Sequence, residues 1–461
     1  MDSPAVLAFR PCFIGSDHRQ RLDVSDKRAK NECPPWKCAE KPIRARCGGR
    51  PTGFHNLPRE VLVRIFSYFP EEEIAGVLMH VCQHWRLAAT HPSLWCRLRF
   101  QGASLPARDI CRLLHHSACL TSLQLVAVPG PSVVRALRQV CRCNPLLQHI
   151  TVKRCMREDE CIPDSVLKNL VVSCRELLSI NFKGTQIRTR RLVSELVYAP
   201  QLRSLKLSLQ ASSRPRDLLL AALNCRDLSE LVVSPCRARG GPPPLADTDA
   251  CLLFHALRPS LAALSFDAHG LCEPALQAIL SCSLLRSLKL TNCVQLSGAL
   301  FRSLPRRLPG LARLRLANAC QLTSEDVAGA FAEPGSPLRR LSYLDLAGCW
   351  RLRDEGLLVV AEAAGGTLMH VGLERCKSVT RAGVAGLLGA CRHLRHLNVA
   401  HAFEFRCEDA RAVHRLAPGL ERLVLGQYEP AAATELGQLL PGLRIAVKVS
   451  EFSKEKYDFF L

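Results

Sequence analysis

Residues 285–290 (LRSLKL), 311–316 (LARLRL) and 341–346 (LSYLDL) share one pattern, in which leucine occupies the first, fourth and sixth positions. Other apolar residues fill these positions in further copies along the chain. The fourth-position residues of all copies are Leu123, Ile150, Ile180, Leu205, Leu231, Leu264, Leu288, Leu314, Leu344, Val371, Leu397 and Leu423. Because apolar residues alternate with more polar ones within each copy, we predict a short strand there with its apolar side chains buried.

Successive copies lie 24 to 33 residues apart, a period typical of leucine-rich repeats. Each unit of that kind supplies a strand to a curved parallel sheet and a helix that returns on the outer face. A single unit cannot bury its own leucines, so neighbouring units stack into one continuous core. We predict an α/β fold in which about twelve repeats span residues 120–447, with the sheet inside and the helices outside. The longest spacing contains a proline- and glycine-rich stretch at 234–247, which is predicted to be an exposed loop.

Many of the 24 cysteines recur at fixed places in these copies. One group lies three residues after the last apolar position of a copy, and the other lies three residues before the first. These cysteines are Cys155, Cys236, Cys293, Cys349 and Cys376, and then Cys174, Cys225, Cys282 and Cys391. Small buried apolar residues recur in this way, so we predict reduced, buried thiols rather than disulfides. Cys33, Cys38 and Cys47 lack a well-placed fourth ligand, and no metal site is predicted.

Residues 54–100 differ in character: FHNLPREVLVRIFSYFPEEEIAGVLMHVCQHWRLAATHPSLWCRLRF. Apolar residues at helical spacing predict one helix up to Phe69 and a second one from Pro70 through Trp85. Proline followed by three glutamates is typical of a helix start, where the missing N–H is tolerated and negative charge is favoured. Such short helices cannot bury this much apolar surface against one another. A partner surface is therefore predicted, within the chain or outside it.

This segment resembles the F-box, and the repeats resemble the cysteine-containing leucine-rich repeats commonly joined to it. The matching positions are Leu57-Pro58, Glu60, Leu62, Ile65-Phe66, Tyr68, Pro70, Val81-Cys82, Trp85, Leu87-Ala88 and Leu94-Trp95. The resemblance implies a receptor that recruits substrates to a Skp–cullin–F-box ubiquitin ligase. Its F-box would bind a Skp-type adaptor and, through it, the cullin and RING subunits. Its repeats would hold a protein substrate for ubiquitination and proteasomal degradation.

The resemblance and the apolar surplus together give a set of expected adaptor contacts. These residues are Leu57, Pro58, Leu62, Ile65, Phe66, Pro70, Val81, Trp85 and Trp95. Both tryptophans could instead be core residues of a helical bundle. Adaptor contact is the favoured interpretation, because tryptophan is enriched at the energetic centres of interfaces.

A second set of candidate residues follows from the strand pattern. Residues between the buried leucines should line the concave face, and several of them are basic. These residues are Lys153, Lys183, Lys206, Lys289 and Arg315. With strands about 4.8 Å apart, the first three lysines are expected to stack within roughly 10 Å. Such a stack could be a solvated face of a basic protein, or it could bind an acidic or phosphorylated substrate segment.

Charge and composition limit the other functions. The formal charge of +21 is compatible with a polyanionic partner, but it is spread along the chain without a nucleic-acid-binding signature. No catalytic residue, cofactor or metal is predicted, because no nucleophile–base pattern or phosphate-binding loop is visible. The chain also lacks an apolar stretch long enough to span a membrane and a credible signal peptide, so a cytoplasmic or nuclear location is expected. The alternatives are a repeat scaffold whose F-box acts outside any ligase and, with less support, a nucleic-acid-binding solenoid.

The remaining segments complete the predicted domain organisation. Residues 1–53 mix charge, proline and glycine, and they are interpreted as a flexible tail. The F-box occupies 54–100, and a linker or capping segment at 101–119 joins it to the repeats. Residues 448–461 form a C-terminal tail whose apolar end could cap the last repeat.

Overall fold

The computed structural model describes residues 57–102, 106–156, 160–209, 214–235, 245–333 and 335–448. All of these residues belong to one structural unit that begins at Leu57. Several predictions lie wholly or largely outside the described residues. They are the tail at 1–53, the three cysteines weighed as zinc ligands, most of the 234–247 loop with Cys236, and the 448–461 tail beyond Lys448.

One parallel sheet dominates the described residues, with 14 strands that follow one another in chain order. Its strands are β1 (Arg97–Gln101), β2 (Ser122–Val126), β3 (His149–Lys153), β4 (Ser179–Asn181), β5 (Ser204–Leu209), β6 (Glu230–Pro235), β7 (Ala263–Asp267), β8 (Ser287–Thr291), β9 (Arg313–Leu316), β10 (Tyr343–Asp345), β11 (His370–Gly372), β12 (His396–Asn398), β14 (Arg422–Leu425) and β16 (Arg444–Val447). Two further short strands, β13 (Glu404–Phe405) and β15 (Gln427–Tyr428), pair with each other. Parallel pairing of consecutive strands requires a crossover after each strand, and the repeats supply one each time.

Helices provide these crossovers. The helical segments near the N-terminus are α1 (Arg59–Phe66), α2 (Glu71–Glu73), a π-helical segment (Ile74–Leu78), α3 (Met79–Val81) and α4 (Gln83–Ala89). Those of the repeats are α5 (Ala107–His116), α6 (Gly130–Cys143), α7 (Asp164–Ser173), α8 (Thr189–Glu195), α9 (Leu218–Asn224), α10 (Asp247–Leu257), α11 (Glu273–Leu280), α12 (Gly298–Arg302), α13 (Leu304–Arg307), α14 (Ser324–Ala332), α15 (Asp354–Ala364), α16 (Arg381–Ala390), α17 (Cys407–Leu416) and α18 (Pro430–Leu439). Short 3₁₀ turns occupy Pro92–Leu94, Leu196–Tyr198, Pro215–Asp217 and Pro337–Arg340. No helix in the described ranges has both the length and the apolar composition that a membrane crossing requires.

All twelve predicted fourth-position residues form one column across the sheet. Leu123 pairs with Ile150, Ile150 with Ile180, and the register continues without a slip to Leu423. Leu98 on β1 and Ile445 on β16 extend the column at its two ends. Every predicted member of the column is buried, so the predicted α/β repeat fold is confirmed.

The repeats begin earlier than the sequence pattern indicated. Trp95, Leu98 and Phe100 take the places that leucines hold in the first, fourth and sixth positions of later copies, and all three are buried. Helix α5 then packs against α6 and completes this first repeat. The segment at 101–119, predicted to be a linker or a capping segment, is therefore not a linker, because its helix belongs to the first repeat at the end of the array. Tryptophan and phenylalanine in two of the three positions hid the pattern.

A left-handed backbone residue follows most strands of the sheet. Two residues after the last apolar position, φ is positive at Ala127, Arg154, Gly184, Asn292, Asn318, Gly348, Arg375 and His401. Asparagine and glycine tolerate this conformation better than other residues. The asparagines also connect repeats, since Asn318 Nδ2 donates to Asn292 Oδ1 and Asn292 Nδ2 donates to Asp267 Oδ1, both at 2.9 Å.

The recurring cysteines occupy the turns on both sides of the strands. Those predicted to be buried are buried wherever the structure describes them. Most of their thiols donate to a backbone carbonyl of the preceding repeat, for example Cys376 Sγ to Leu346 O at 3.1 Å and Cys174 Sγ to Asn144 O at 3.5 Å. Burial raises the pKa of the Cys174, Cys225 and Cys282 thiols to about 12. These thiols therefore stay protonated at neutral pH, the form that is a poor nucleophile.

We expect exposed and buried thiols to differ strongly in their rates of alkylation. In the native protein at pH 8, a thiol-alkylating reagent should modify exposed Cys119 quickly and leave Cys174, Cys225 and Cys282 unmodified, because burial removes both access and thiolate. All four should react once the protein is unfolded without reductant, which peptide mass spectrometry can read at each site. A buried cysteine that stays unmodified after unfolding would instead indicate a disulfide.

Close helix packing depends on Gly356 in α15. A Cβ atom placed there would lie 2.9 Å from Ser324 Cα on the neighbouring helix α14. Gly356→Ala should lower the free energy of unfolding by about 1–3 kcal/mol, because the two backbones must separate. Gly389 in α16 is the matched control, since a Cβ atom there meets open space. Gly389→Ala should raise stability by up to about 1 kcal/mol through helix propensity. Equal losses in urea unfolding of the two variants would contradict this packing.

Candidate functional site

Helix α1 places its apolar residues on two sides of the helical module (residues 57–95). Leu62 and Phe66 are buried, and the Phe66 ring meets the Trp85 ring edge-on with centroids 5.2 Å apart. Val61 on the same helix is exposed. The apolar residues of this helix are therefore divided between the core and the surface.

The predicted second helix is interrupted at Cys82. This residue has extended backbone angles and caps the N-terminus of α4. Its Sγ accepts a hydrogen bond from the backbone N–H of Trp85 in the first turn of that helix. Trp85 consequently lies on a separate helix from Val81. The side chain of His84 on α4 bonds the Leu57 carbonyl oxygen at 2.9 Å, which ties the start of the module to its last helix.

Three of the predicted adaptor contacts are wrong in this structure. Leu62, Phe66 and Trp95 are nearly inaccessible, so their side chains cannot touch a partner. The Trp95 indole N–H donates to the Ala89 carbonyl oxygen at 2.8 Å, which joins α4 to the first repeat. The apolar surplus of the module is thus partly consumed within the chain.

The other predicted contacts differ in their exposure. Pro58, Pro70 and Val81 are exposed, whereas Leu57, Ile65 and Trp85 are half-buried and pack against the core. The structure adds exposed residues that the sequence interpretation did not select. Together with Val81, the large exposed apolar residues define what we call the module's apolar surface: Val61, Tyr68, Phe69, Val77, Val81 and Leu87.

The module's apolar surface is the clearest candidate for a partner site at this end of the chain. Tyr68 is 77% exposed, and Val77 is 59% exposed, although both lie in a segment only about forty residues long. Val77 and Val81 are four residues apart, so they project from neighbouring turns. Apolar residues concentrated in this way on a small module are typical of a surface that a partner covers.

A second candidate surface is the sheet face opposite the helices, here called the open face. It carries the outward residues of each strand, which is the face predicted to be concave. Thr151 on β3 pairs with Asn181 on β4, and both are outward positions. Lys153 and Lys183 each lie two residues farther along, so they occupy equivalent positions in the two repeats. Asn181 in turn pairs with Lys206. Lys206 is therefore two residues out of register with the other two lysines.

The predicted stack of three lysines is thus wrong. Each strand offers more than one outward position, and the charge pattern alone did not distinguish them. Lys206 is also neutralised, since its Nζ lies 2.8 Å from Glu230 Oε1 and its side chain is only 15% exposed. Ser204 donates to the other oxygen of Glu230 at 2.7 Å, which fixes the carboxylate beside the lysine.

Farther along the open face, cations lie on two adjacent strands. Lys289 on β8 pairs in register with Arg315 on β9, and Arg313 lies two residues earlier on β9. Lys289, Arg313 and Arg315 are called the cation cluster below. The Lys289 ammonium lies 5.8 Å from the centroid of the Tyr343 ring on β10. Lys289 and Arg315, two of the candidates for the concave face, therefore lie side by side on adjacent strands.

Asp345 on β10 neutralises one member of this cluster. Its Oδ2 lies 3.3 Å from Arg315 Nε and accepts from the Tyr343 hydroxyl at 3.4 Å. Its Oδ1 accepts from the Ala347 backbone N–H at 3.0 Å. Gly372 on β11 leaves room for this carboxylate, because a Cβ atom there would lie 2.6 Å from Asp345 Cγ.

Aromatic rings continue along the same row of the face. The Tyr343 and His370 rings lie 5.3 Å apart, and the His370 and His396 rings stack at 3.9 Å with an interplanar angle of 7°. Burial, His396 and the nearby cations Arg422, Arg313 and Lys289 lower the pKa of His370 to about 4. The pKa of His396 is also lowered, chiefly by burial. Both imidazoles are therefore neutral at pH 7.

An acidic residue, Glu374, lies just after β11 on this part of the open face. Glu374 accepts a hydrogen bond from Asn398 Nδ2 at 3.1 Å and forms an ion pair with Lys448, which follows the last strand. Within the described ranges, no group of three histidine, cysteine or acidic side chains is arranged to hold a metal ion. The open face thus presents neutralised ion pairs, a neutral ring stack and one cation cluster.

Comparisons with known proteins found one family match and several structures of similar fold. The F-box-like family matches residues 54–101. A chain of the yeast Rad7–Elc1 complex has a similar fold, with a TM-score of 0.57 and 15% sequence identity over 84% of this chain and 92% of that one. A leucine-rich-repeat protein of Leptospira interrogans matches with a TM-score of 0.34 and 14% identity over 77% and 91% of the two chains. A chain of the mouse RP105/MD-1 complex matches with a TM-score of 0.34 and 16% identity over 76% of this chain and 51% of that one.

We expect His370 to make stability depend on pH. Its pKa in the folded protein is below the usual value of 6.5, so the unfolded chain binds a proton that the folded chain does not. This contribution to stability is fully present above pH 6.5 and is lost as the pH falls from 6.5 to 4. His370→Gln should therefore lose less stability between pH 7 and pH 5 than the unchanged protein in urea unfolding. Equal losses in the two proteins would show that His370 titrates normally.

Proposed function

We propose that this chain, which joins an F-box-like domain to a leucine-rich-repeat solenoid, is the substrate-recognition subunit of a Skp–cullin–F-box ubiquitin ligase. The module's apolar surface binds a Skp-type adaptor, and the adaptor connects it to the cullin and RING subunits. The open face of the sheet holds a protein substrate, which is ubiquitinated and then degraded by the proteasome. The proposed sites of action are the cytoplasm and the nucleus.

The observation that carries this proposal is the exposed apolar surface on the F-box-like domain. The module buries Leu62, Phe66 and Trp95 within the chain, yet Tyr68, Val77 and other large apolar residues remain in water. Burying such residues against a partner is favourable by about 25 cal/mol per Å² of apolar area. The fold similarity to a chain of the Rad7–Elc1 complex supports binding of a second protein by a chain of this architecture.

The chain is proposed to act without chemistry of its own. It would hold a substrate lysine close to a ubiquitin-charged conjugating enzyme that other subunits recruit. Proximity of this kind raises the effective concentration of the two reacting groups. This effect accounts for a large share of the rate acceleration in many catalysed reactions. A rigid connection between the two binding surfaces serves this role. Trp95 supports such a connection, because it fills a core position of the first repeat and its indole N–H donates to the Ala89 carbonyl oxygen on α4.

Adaptor binding should be separable from folding. Val77→Asp combined with Val81→Asp should weaken adaptor binding by about tenfold or more, because charges would be buried in an apolar interface. The midpoint of thermal unfolding should barely change, since both residues are exposed. Leu252→Asp on α10 is the matched control, because Leu252 is also exposed and lies outside the module. Binding can be measured by calorimetry with a purified Skp-type adaptor.

Other substitutions and partners complete this test. Leu62→Ala should lower stability by about 2–5 kcal/mol instead, because it opens a cavity in the core. Full adaptor binding by the double variant would show that the module's apolar surface has another role. Co-purification of the adaptor without a cullin would favour the alternative, in which the chain is a scaffold that acts outside any ligase.

A further inference from the structure

Lys289 differs in its surroundings from Lys206 and Lys448, two other lysines of the open face. Lys206 is paired with Glu230, and Lys448 is paired with Glu374. Among the residues that the structure describes, no carboxylate forms an ion pair with Lys289 or with Arg313. Lys289 is half-buried beside the Tyr343 ring, so water screens its charge less than it would on an exposed surface.

Positive charge surrounds this lysine. Burial lowers the pKa of Lys289, and Arg315, Arg313 and Lys183 lower it further. Asp345 acts in the opposite direction but lies 3.3 Å from Arg315, which it already neutralises. Like charges held this close in a partly buried site repel one another, and an anion placed among them would relieve that repulsion.

We propose that Lys289 and Arg313 bind one anionic side chain of the protein substrate, through charge-assisted hydrogen bonds to its carboxylate or phosphate oxygens. This inference rests on the proposed function, because it names the chemistry of what the open face holds. Arg315 and Asp345 form the wall of the site, and Tyr343 forms its floor. An anionic occupant is proposed because it complements the positive charge of Lys289 and Arg313. In the described ranges, the strands on either side of β8 and β9 offer no second pair of cations without an ion-pair partner.

The ring stack favours a protein segment over a nucleic acid. Single-stranded nucleic acids bind by stacking bases on exposed aromatic faces. Here His370 and His396 stack on each other at 3.9 Å, so their facing surfaces are already occupied. The positive edges of aromatic rings remain, and these edges attract anionic groups.

The Nδ1 atom of His396 in the stack is buried from solvent, and no group among the described residues hydrogen-bonds to it. The proposed substrate segment lies across β10 to β12. The anionic side chain would then lie over the cation cluster, and the adjoining backbone would lie along the neutral ring edges.

The probes are three degenerate peptide pools with a fixed central residue, which is phosphoserine, glutamate or serine. Each pool is incubated with the purified full-length chain, and binding is measured by fluorescence anisotropy at physiological salt. The phosphoserine and glutamate pools should bind more tightly than the serine pool. The ratio between the first two identifies the source of the anion, with a phosphate preference expected if both cations contact it.

Substitutions then test the residues. Lys289→Met keeps the length of the side chain and removes the charge, and it should weaken binding of the anionic pools by about tenfold. Lys289→Glu should weaken it by about a hundredfold. Neither change should alter binding of the serine pool. Lys168→Glu is the matched control, because Lys168 is exposed on α7, away from the open face, and this variant should bind as the unchanged chain does.

Three results would overturn the inference. The first is equal binding of the three pools, and the second is equal weakening by Lys168→Glu and Lys289→Glu. The third is anion binding only after truncation at Lys448, which would make residues 449–461 of this chain the occupant. Adaptor binding is measured separately in Lys289→Glu and should be unchanged. If the unchanged chain binds the adaptor but shows no preference for the anionic pools, this inference alone is rejected, whereas an unchanged chain that binds no adaptor rejects the proposed function.

Discussion

Every other feature of the structure depends on one constraint, the unbroken register of apolar residues across the parallel sheet. Leu123 pairs with Ile150, and the column continues through every repeat to Ile445. A shift of one residue in any strand would turn its buried side chains towards water and its outward charges into the core. The free energy of burial therefore determines the strand register, the position of each turn and which residues of each strand lie on the open face.

The turns adapt to that register instead of determining it. A left-handed residue such as Asn318 or Gly348 ends the strand, and a buried cysteine such as Cys349 often follows it. The cysteine is small enough for the space, and its thiol can meet a carbonyl of the preceding repeat. Contacts between neighbouring repeats thus include weak polar bonds as well as apolar packing.

The same register connects the two proposed binding surfaces. Trp95 fills the first apolar position of the first repeat and also bonds to Ala89 in the helical module. Its burial joins module and repeats in one hydrophobic core. The open face and the module's apolar surface are therefore parts of one continuous packed structure. For a protein that holds one partner near another, such continuity limits the relative motion of the two partners.

The sequence by itself determined the repeat architecture, because each strand is recognisable from the alternation of apolar and polar residues within its own six-residue copy. That pattern can be read without knowing which strand lies beside it. It also determined the F-box-like domain and the buried cysteines, which follow from short patterns. Tertiary structure alone decided which apolar residues of the module face water. Leu62 and Val61 are neighbours in the sequence, but only packing makes one core and the other surface. Tertiary structure likewise decided which cations are paired, because the register that brings Glu230 to Lys206 and leaves Lys289 among other cations joins residues that lie far apart along the chain.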